Sequence, residues 1–420
     1  MRNTVIIGNS AAGINALESF RKYESDSPVT LISGEPGPAY SRVLLPYFLR
    51  KEVSFENLFI RRRDYYKRMK VNTHFGEAVR EIEVNKQRVR LKNGTEIPFD
   101  RLLIATGAHP VKPPVQNLAG PGVYHLWTLE DAKKLDPLLH LGKRALILGS
   151  GFVALQAAWA ALERGLEVTV FELMSCIMPK VLDDQGAAIL HQKILDHGVD
   201  LRTDILTEGI ERSQDGTIRV FAKGYPPFSV DVIIVGTGVR PNIEFLQDNP
   251  VEIDGGILVN SRMESSARGI YAAGDVASGP TVFNEAHVAH ALWPTAVEHG
   301  KIAGANMAGK DLDYRGSLNM NVTEMFGITV ASMGIFQGCE SLENVSHIDH
   351  GKGRYIKIML RDQKPVGGII LGTPEDVKLL GALRPFIRRN MTVNIKERFI
   401  KECFYQDLME NIFYFRRLIA

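Results

Sequence analysis

The stretch Thr4-Val5-Ile6-Ile7-Gly8-Asn9-Ser10-Ala11-Ala12-Gly13 decides how the beginning of this chain folds. Thr4 to Ile7 is apolar and β-branched without polar alternation, the pattern of a short strand buried on both faces. The glycine turn then opens a helical pattern to about Tyr23, Val29 to Ile32 reads as a second strand, and Glu35 closes it. Strand, glycine turn, helix, strand and an acid about 20 residues past the last glycine is the order of a dinucleotide-binding βαβ unit. The order recurs: strand Ala145–Leu148, turn Gly149-Ser150-Gly151-Phe152-Val153-Ala154, helix Leu155–Glu163, strand Glu167–Phe171 and the acid Glu172.

Each residue type has a physical task. Missing side chains at Gly8, Gly13, Gly149 and Gly151, and small ones at Ser10, Ala11 and Ala12, let the backbone approach a pyrophosphate. The helix N-terminus meets that anion with free N–H groups and about half a positive charge. A terminal carboxylate, Glu35 or Glu172, then accepts hydrogen bonds from ribose hydroxyls. One such turn is a weak signal; two in full βαβ context predict two bound dinucleotides. Ser10 replaces a glycine of the first copy and is small enough to be tolerated. Ala154 replaces the third glycine of the second copy, at some cost in helix–strand closeness. Glu172 would repel a 2′-phosphate, and no Arg or Lys occurs from Leu173 to Met178, so NADH is expected over NADPH.

Outward from these units, 420 residues with 45% hydrophobic and 23% charged side chains describe a globular chain of two or three domains. A net charge of +2 argues against a dedicated nucleic-acid binder. Cys176, Cys339 and Cys403 lie far apart with no metal-like spacing, which fits a reducing, cytoplasmic setting. No apolar run approaches membrane length, so no membrane association is expected. His287, His290 and His299 lack a carboxylate or cysteine to complete a ligand set, and no metal site is expected.

Three later segments, Arg101–Pro110 (RLLIATGAHP), Asp231–Asn242 (DVIIVGTGVRPN) and Gly269–Ala277 (GIYAAGDVA) with Leu292-Trp293-Pro294-Thr295-Ala296, complete a further pattern. In that order the motifs resemble the FAD-dependent pyridine nucleotide-disulfide oxidoreductase superfamily over roughly residues 4 to 310. The resemblance implies an α/β fold of two Rossmann-like domains, the NAD domain inserted in the FAD domain, with a small C-terminal α+β domain. The implied boundaries are 1–112 plus 243–313 for FAD, 113–242 for NAD and 314–420 for the C-terminal domain. It assigns FAD to Gly8, Ser10, Ala11, Ala12, Gly13, Glu35, Arg42, Val79 (backbone, beside the adenine), Ala105, Thr106, Gly107, Gly274, Asp275, Trp293, Thr295 and Ala296. NAD(H), an exchangeable substrate, falls to Gly149, Gly151, Phe152, Val153, Ala154, Glu172, Gly236 and Gly238. By the same likeness Asp275 holds the ribityl region, and the helix opening near Pro294 points N–H groups at the pyrimidine edge of the flavin, where the reduced ring carries negative charge.

Pro38 to Pro46, PAYSRVLLP, decides the branch. No cysteine precedes Cys176, so no thiolate from this segment can serve the flavin. The stretch resembles NADH–rubredoxin reductases, oxygenase-type ferredoxin reductases and the flavin part of NADH-dependent nitrite reductases. That implies hydride uptake from NADH and single-electron exchange, in either direction, with an acidic iron–sulfur protein of ferredoxin or rubredoxin type. Alternatives are a flavin subunit of a larger reductase and a slow redox-sensing flavoprotein. Oxygenase-type members often carry a Lys and a Glu where this chain has Tyr47 and Gln156; loss of both together avoids an uncompensated buried charge. Tyr47 is a candidate nicotinamide-pocket residue, with plain packing the alternative, and no catalytic acid or base is assigned.

The remainder reads as strands near Ala78–Val84 and Arg88–Leu91, then Thr329–Ile335, Tyr355–Leu360 and Pro365–Leu371, with a helix Glu375–Arg388. The resemblance gives the C-terminal domain to homodimer contact or to closing the flavin site. Lys396–Ala420 carries an aromatic stripe, expected as core or dimer contact. Basic residues cluster from Arg384 onward and at Arg61, Arg62, Arg63, Lys67, Arg68 and Lys70; they are either a steering patch for an acidic partner or a solvated face.

Overall fold

The computed structural model describes residues 2–246, 250–283, 287–336 and 342–393. The aromatic segment Lys396–Ala420, with the basic residues in it, lies outside them, as does Cys339. The chain divides into two compact units. The first comprises Met1–Leu44, Val53–His109 and Val239–Leu318; the second comprises Leu45–Glu52, Pro110–Gly238 and Asn319–Ala420.

The first unit is built on a parallel five-stranded sheet in the order Ile270–Ala272, Arg101–Ile104, Thr4–Ile7, Val29–Ser33, Val71–Phe75. Thr4 to Ile7 is buried at every position, as its unbroken apolar run requires of a central parallel strand. Helix Ala11–Arg21 buries Ile14, Leu17 and Phe20 completely. It packs on helix Trp293–Met307 at unusually close range, because Gly300 and Gly304 sit directly on the carbonyl oxygens of Ala12 and Ala16, where a Cβ would collide. A small antiparallel sheet, Val79–Glu83, Arg88–Leu91 and Glu96–Pro98, belongs to the same unit.

The second unit repeats the plan. Its parallel sheet runs Asp200–Arg202, Glu167–Phe171, Arg144–Leu148, Val232–Val235, Val123–His125. The helix of its βαβ unit spans Phe152–Glu163 and begins directly after Gly151, three residues earlier than the sequence suggested, because the last positions of the glycine turn are already its first turn. An antiparallel sheet in the order Met320–Met325, Ile328–Gly334, Lys364–Gly372, Arg354–Arg361, Glu343–Asp349 is covered by helix Pro374–Arg389. The three inner strands are those the sequence predicts. The two outer ones went unread because edge strands keep polar side chains on their free flank, and ENVSHID has little apolar alternation. The architecture is α/β, with two Rossmann-like parallel sheets and an additional α+β module.

Candidate functional site

The sixteen residues that the sequence assigns to FAD all belong to the first unit, and the eight assigned to NAD(H) all belong to the second. In the first unit the glycine turn is closed by backbone. Gly8 adopts φ 125°, and a Cβ there would strike the Ala105 carbonyl; one at Gly13 would strike the Gly8 carbonyl. Asn9, at a position the motif leaves free, is engaged: its amide donates to Gly37 O at 3.1 Å and it accepts from the Tyr66 hydroxyl at 2.8 Å. That hydroxyl accepts from Ala39 N–H, so Tyr66 fixes the turn against the segment leading to Arg42. No sequence signal marked Tyr66, because a buried tyrosine in a short helix reads as core.

Glu35 stands beyond strand Val29–Ser33, with one carboxylate oxygen accepting from Tyr40 Oη at 2.6 Å and the other bonded to Arg42. Gly274, at φ 77°, lets Ala12, Ala296 and the start of Asp275 converge: a Cβ on Gly274 would lie 3.1 Å from that of Ala12 and 3.4 Å from that of Ala296. Burial pushes the Asp275 carboxyl up to about 6, while the Arg42 guanidinium pulls it the other way. Thr106 and Asn242 are tied reciprocally, Thr106 Oγ1 to Asn242 O at 3.0 Å and Asn242 Nδ2 to Thr106 O at 2.8 Å. His287, His290 and His299 do not share a helix. His287 is in a two-residue strand, His290 precedes the helix, and only His299 lies on it, because the helix starts at Trp293. Among the described residues, no group of three or more His, Cys, Asp or Glu is arranged to hold a metal ion.

In the second unit, Gly149 packs on Gly236, where a Cβ would approach the Gly236 carbonyl to 2.6 Å. Ala154 costs no closeness after all. A Cβ on Gly236 would lie only 2.7 Å from that of Ala154, so the missing side chain has moved across to the neighbouring strand end. Glu172 is 8% exposed and fully engaged: Oε2 accepts from Ser150 Oγ at 2.5 Å, Oε1 from Met174 N–H at 2.8 Å. Cys176 lies nearby; burial, with Asp184, Glu172 and Asp204 around it, pushes its thiol up, so it rests protonated.

The helix termini discriminate further. Of the described helices of eight or more residues, Asp184–Asp196 and Pro374–Arg389 are capped by Asp183 and Thr373 side chains and carry acids in the first turn. Ala11–Arg21, Phe152–Glu163 and Trp293–Met307 have neither a side-chain cap nor a first-turn acid. Uncapped N–H groups at a positive helix end form an anion site. These three are the helices assigned to the two pyrophosphates and to the flavin pyrimidine edge. With the side-chain-free cradles at Gly8 and Gly149, the residues present fit FAD and NAD(H).

Tyr47 belongs to helix Leu45–Leu49 of the second unit. The Arg50 guanidinium lies 4.4 Å from its ring centroid and 4.1 Å from that of Trp159. Its side chain is only 2% exposed; Nη1 donates to Gln156 Oε1 at 2.8 Å, and Nε and Nη2 donate to Glu52. A cation therefore lies against position 156, supplied by Arg50, which no motif in the sequence marks. Of the first basic cluster, Arg61, Arg68 and Lys70 are paired with Glu18, Asp64 and Asp26, while Arg62, Arg63 and Lys67 are exposed. No helix of the described residues is long and apolar enough to cross a membrane.

Residues 2–300 match the model of the pyridine nucleotide-disulphide oxidoreductase family, and residues 320–390 match that of the rubredoxin NAD+ reductase C-terminal domain. The chain belongs to the pyridine nucleotide-disulphide oxidoreductase family. Members are NAD(P)H oxidoreductases, and the family implies FAD and NAD(H) as cofactors. Over 400 residues it is 29% identical to the NADH-dependent phenylglyoxylate dehydrogenase subunit epsilon of Aromatoleum evansii, covering 94% of both chains. It is 27% identical over 381 residues to the NADH-rubredoxin oxidoreductase of Clostridium acetobutylicum, covering 88% of this chain and 92% of that protein. It spans about half the length, 48% and 46%, of the nitrate and nitrite reductase proteins of Bacillus subtilis that it also resembles. In fold it is similar to putidaredoxin reductase in its covalent complex with putidaredoxin, with TM-score 0.87, 22% identity, and 97% and 99% of the chains covered.

Proposed function

We propose that this flavoenzyme takes electrons from NADH in preference to NADPH and exchanges them singly with a small acidic iron–sulfur protein of ferredoxin or rubredoxin type. The observation that carries the reading is the set of three uncapped helix N-termini together with a held carboxylate in each unit, Glu35 in the first and Glu172 in the second. Bound FAD supplies the conversion between a two-electron hydride donor and a one-electron carrier.

The chain's own residues bind and orient. The turns at Gly8–Gly13 and Gly149–Ala154 receive the pyrophosphates, Glu35 and Glu172 the adenosine riboses, and Val79 the adenine of FAD through its backbone. Arg42, Ala105, Thr106, Gly107, Gly274 and Asp275 line the flavin side, and the N-terminus at Trp293, Thr295 and Ala296 offsets charge at the pyrimidine edge. Gly236 and Gly238 leave backbone room for NADH. Tyr47 is assigned to the nicotinamide pocket, its ring held by Arg50. Exposed Arg62, Arg63 and Lys67 steer the acidic carrier, the C-terminal module serves a homodimer, and the setting is cytoplasmic. A second reading, a flavin subunit within a larger enzyme, is favoured by the full-length similarity to a dehydrogenase subunit. Anaerobic rapid mixing with NADH tests the function: fast bleaching of the yellow absorbance, followed by recovery with an added ferredoxin or rubredoxin, is expected. Slow bleaching that ends in a stable long-wavelength complex, with no recovery, would overturn it in favour of a sensor.

A further inference from the structure

We infer that Ser150 is a positioning residue for cofactor choice, one that pins Glu172 so that the site accepts a ribose diol and rejects a 2′-phosphate. The inference rests on the reading above that Glu172 receives the adenosine ribose of NADH, and deepens it.

Ser150 lies between the two glycines of the pyrophosphate turn, yet it is 1% exposed and its hydroxyl points into the protein. That hydroxyl donates to Glu172 Oε2 at 2.5 Å and accepts from Met178 N–H at 3.2 Å. Met174 N–H holds Oε1 at 2.8 Å, and Glu172 N–H donates to Arg202 O at 2.9 Å. Both oxygens and the backbone of Glu172 are therefore tied, and the segment that follows is tied to the same serine. Met178 takes the left-handed conformation at φ 48° where it reaches Ser150.

Two consequences follow. A glutamate has three side-chain torsions, and fixing them before the ligand arrives removes part of the ordering cost of binding. Each carboxylate oxygen has a second lone-pair direction, so the pinned group still accepts from two ribose hydroxyls. A free glutamate would rotate away from a 2′-phosphate and let it in. A pinned one keeps its charge in place, with no Lys or Arg from Leu173 to Met178 to compensate. Discrimination therefore depends on the serine hydroxyl as well as on the carboxylate. Removing the hydroxyl leaves the carboxylate held through Oε1 alone, able to turn about that bond, and also strips Met178 N–H of its acceptor.

The test uses the flavin-loaded protein and the variants Ser150→Ala, Ser150→Gly, Glu172→Gln and Ser150→Ala/Glu172→Gln. Steady-state rates with NADH and NADPH are measured, together with calorimetric binding of ADP-ribose and 2′-phospho-ADP-ribose. For Ser150→Ala and Ser150→Gly, KM for NADH and Kd for ADP-ribose should rise about tenfold at unchanged kcat, and the NADH-to-NADPH preference should fall about tenfold. The double variant should cost no more than Glu172→Gln alone, because the serine acts through that carboxylate. If Glu172→Gln lowers the preference while both serine variants keep it, the inference falls and the ribose assignment stands. If Glu172→Gln leaves both ligands' binding unchanged, the assignment falls and takes the inference with it. Two serine variants guard against misfolding of one; a lowered kcat with unchanged preference in both would likewise overturn the proposal.

Discussion

Replacing His299 by Asn should flatten the acid sensitivity of the first unit. His299 is 1% exposed on helix Trp293–Met307, with its ring edge-on to Tyr314 at a centroid distance of 4.8 Å. Nδ1 accepts from Gly274 N–H at 3.4 Å, so the neutral ring carries its proton on Nε2, which has no hydrogen-bond partner among the described residues. Protonation would add a second N–H facing a donor, inside apolar surroundings and near His290. Burial, with His290 adding to it, accordingly pushes the imidazole down to about 4. The unfolded chain binds the proton with an ordinary pKa of about 6.5, so between about pH 6.5 and 4 it holds more protons than the folded one. Stability must then fall as pH drops through that window, by about 1.4 kcal/mol per unit, or about 2 kcal/mol at pH 5. Asp275 acts with the opposite sign: its carboxyl, raised to about 6, is protonated in the folded state first, which favours folding as pH falls. The difference between wild type and His299→Asn therefore carries the test, because Asp275 is common to both. Asn retains an acceptor for Gly274 and does not titrate. Denaturation midpoints at about pH 7.5 and about pH 5 should show the variant less stable at the higher pH but losing about 2 kcal/mol less on acidification. Parallel profiles, or an NMR titration of the His299 ring near 6.5, would refute the reasoning.

Gly236→Ala should destabilise by about 1–3 kcal/mol through its clash with Ala154, and Ala154→Gly in the same chain should restore part of the loss, the backbone of residue 154 still lying close; thermal melting of the single and double variants checks both. Arg50→Met should cost about 3 kcal/mol, since it strands Gln156 Oε1 and leaves the rings of Tyr47 and Trp159 without their cation, read as a lowered melting temperature. Arg62→Glu/Arg63→Glu should raise KM for an acidic carrier severalfold and weaken its salt dependence, while anaerobic reduction by NADH keeps its rate. A carrier KM indifferent to these charges would remove this face from the docking surface.

Much of the fold was legible because the buried parallel strands leave uninterrupted apolar runs. Thr4–Ile7 and Ala145–Leu148 could be read without any tertiary information, and the glycine turns fixed where the helices had to begin. What the sequence hid is contact between distant segments. Tyr66 supports the first turn through Asn9 from more than fifty residues away, and Gly236 compensates Ala154 from across the sheet. Neither carries a local pattern. The polar strands Met320–Met325 and Glu343–Asp349 escaped for another reason: an edge strand buries too little to show a period of two. The pinning of Glu172 by Ser150 is the same kind of omission, since the motif treats position 150 as free.

The charge arrangement around position 156 shows how such hidden contacts change the meaning of a substitution. Read along the chain, Tyr47 and Gln156 in place of a Lys and a Glu look like the loss of an ion pair. In the structure a cation, Arg50, lies against Gln156, and its carboxylate partner is the more exposed Glu52. Gln156 is what makes the arrangement work. Its carbonyl accepts from Arg50, while its amide nitrogen donates to Thr323 Oγ1 at 2.6 Å and to Glu324 O at 2.7 Å. A glutamate could satisfy the guanidinium but would turn a lone pair toward the Glu324 carbonyl, where only a donor is tolerated. Tyr47 fits the same logic, offering Arg50 a ring face where a lysine would have offered a second positive charge. Tyr47, Arg50 and Gln156 thus act as one unit, which keeps a positive group beside helix Phe152–Glu163 with its charge balanced nearer to solvent, where a carboxylate costs less to hold.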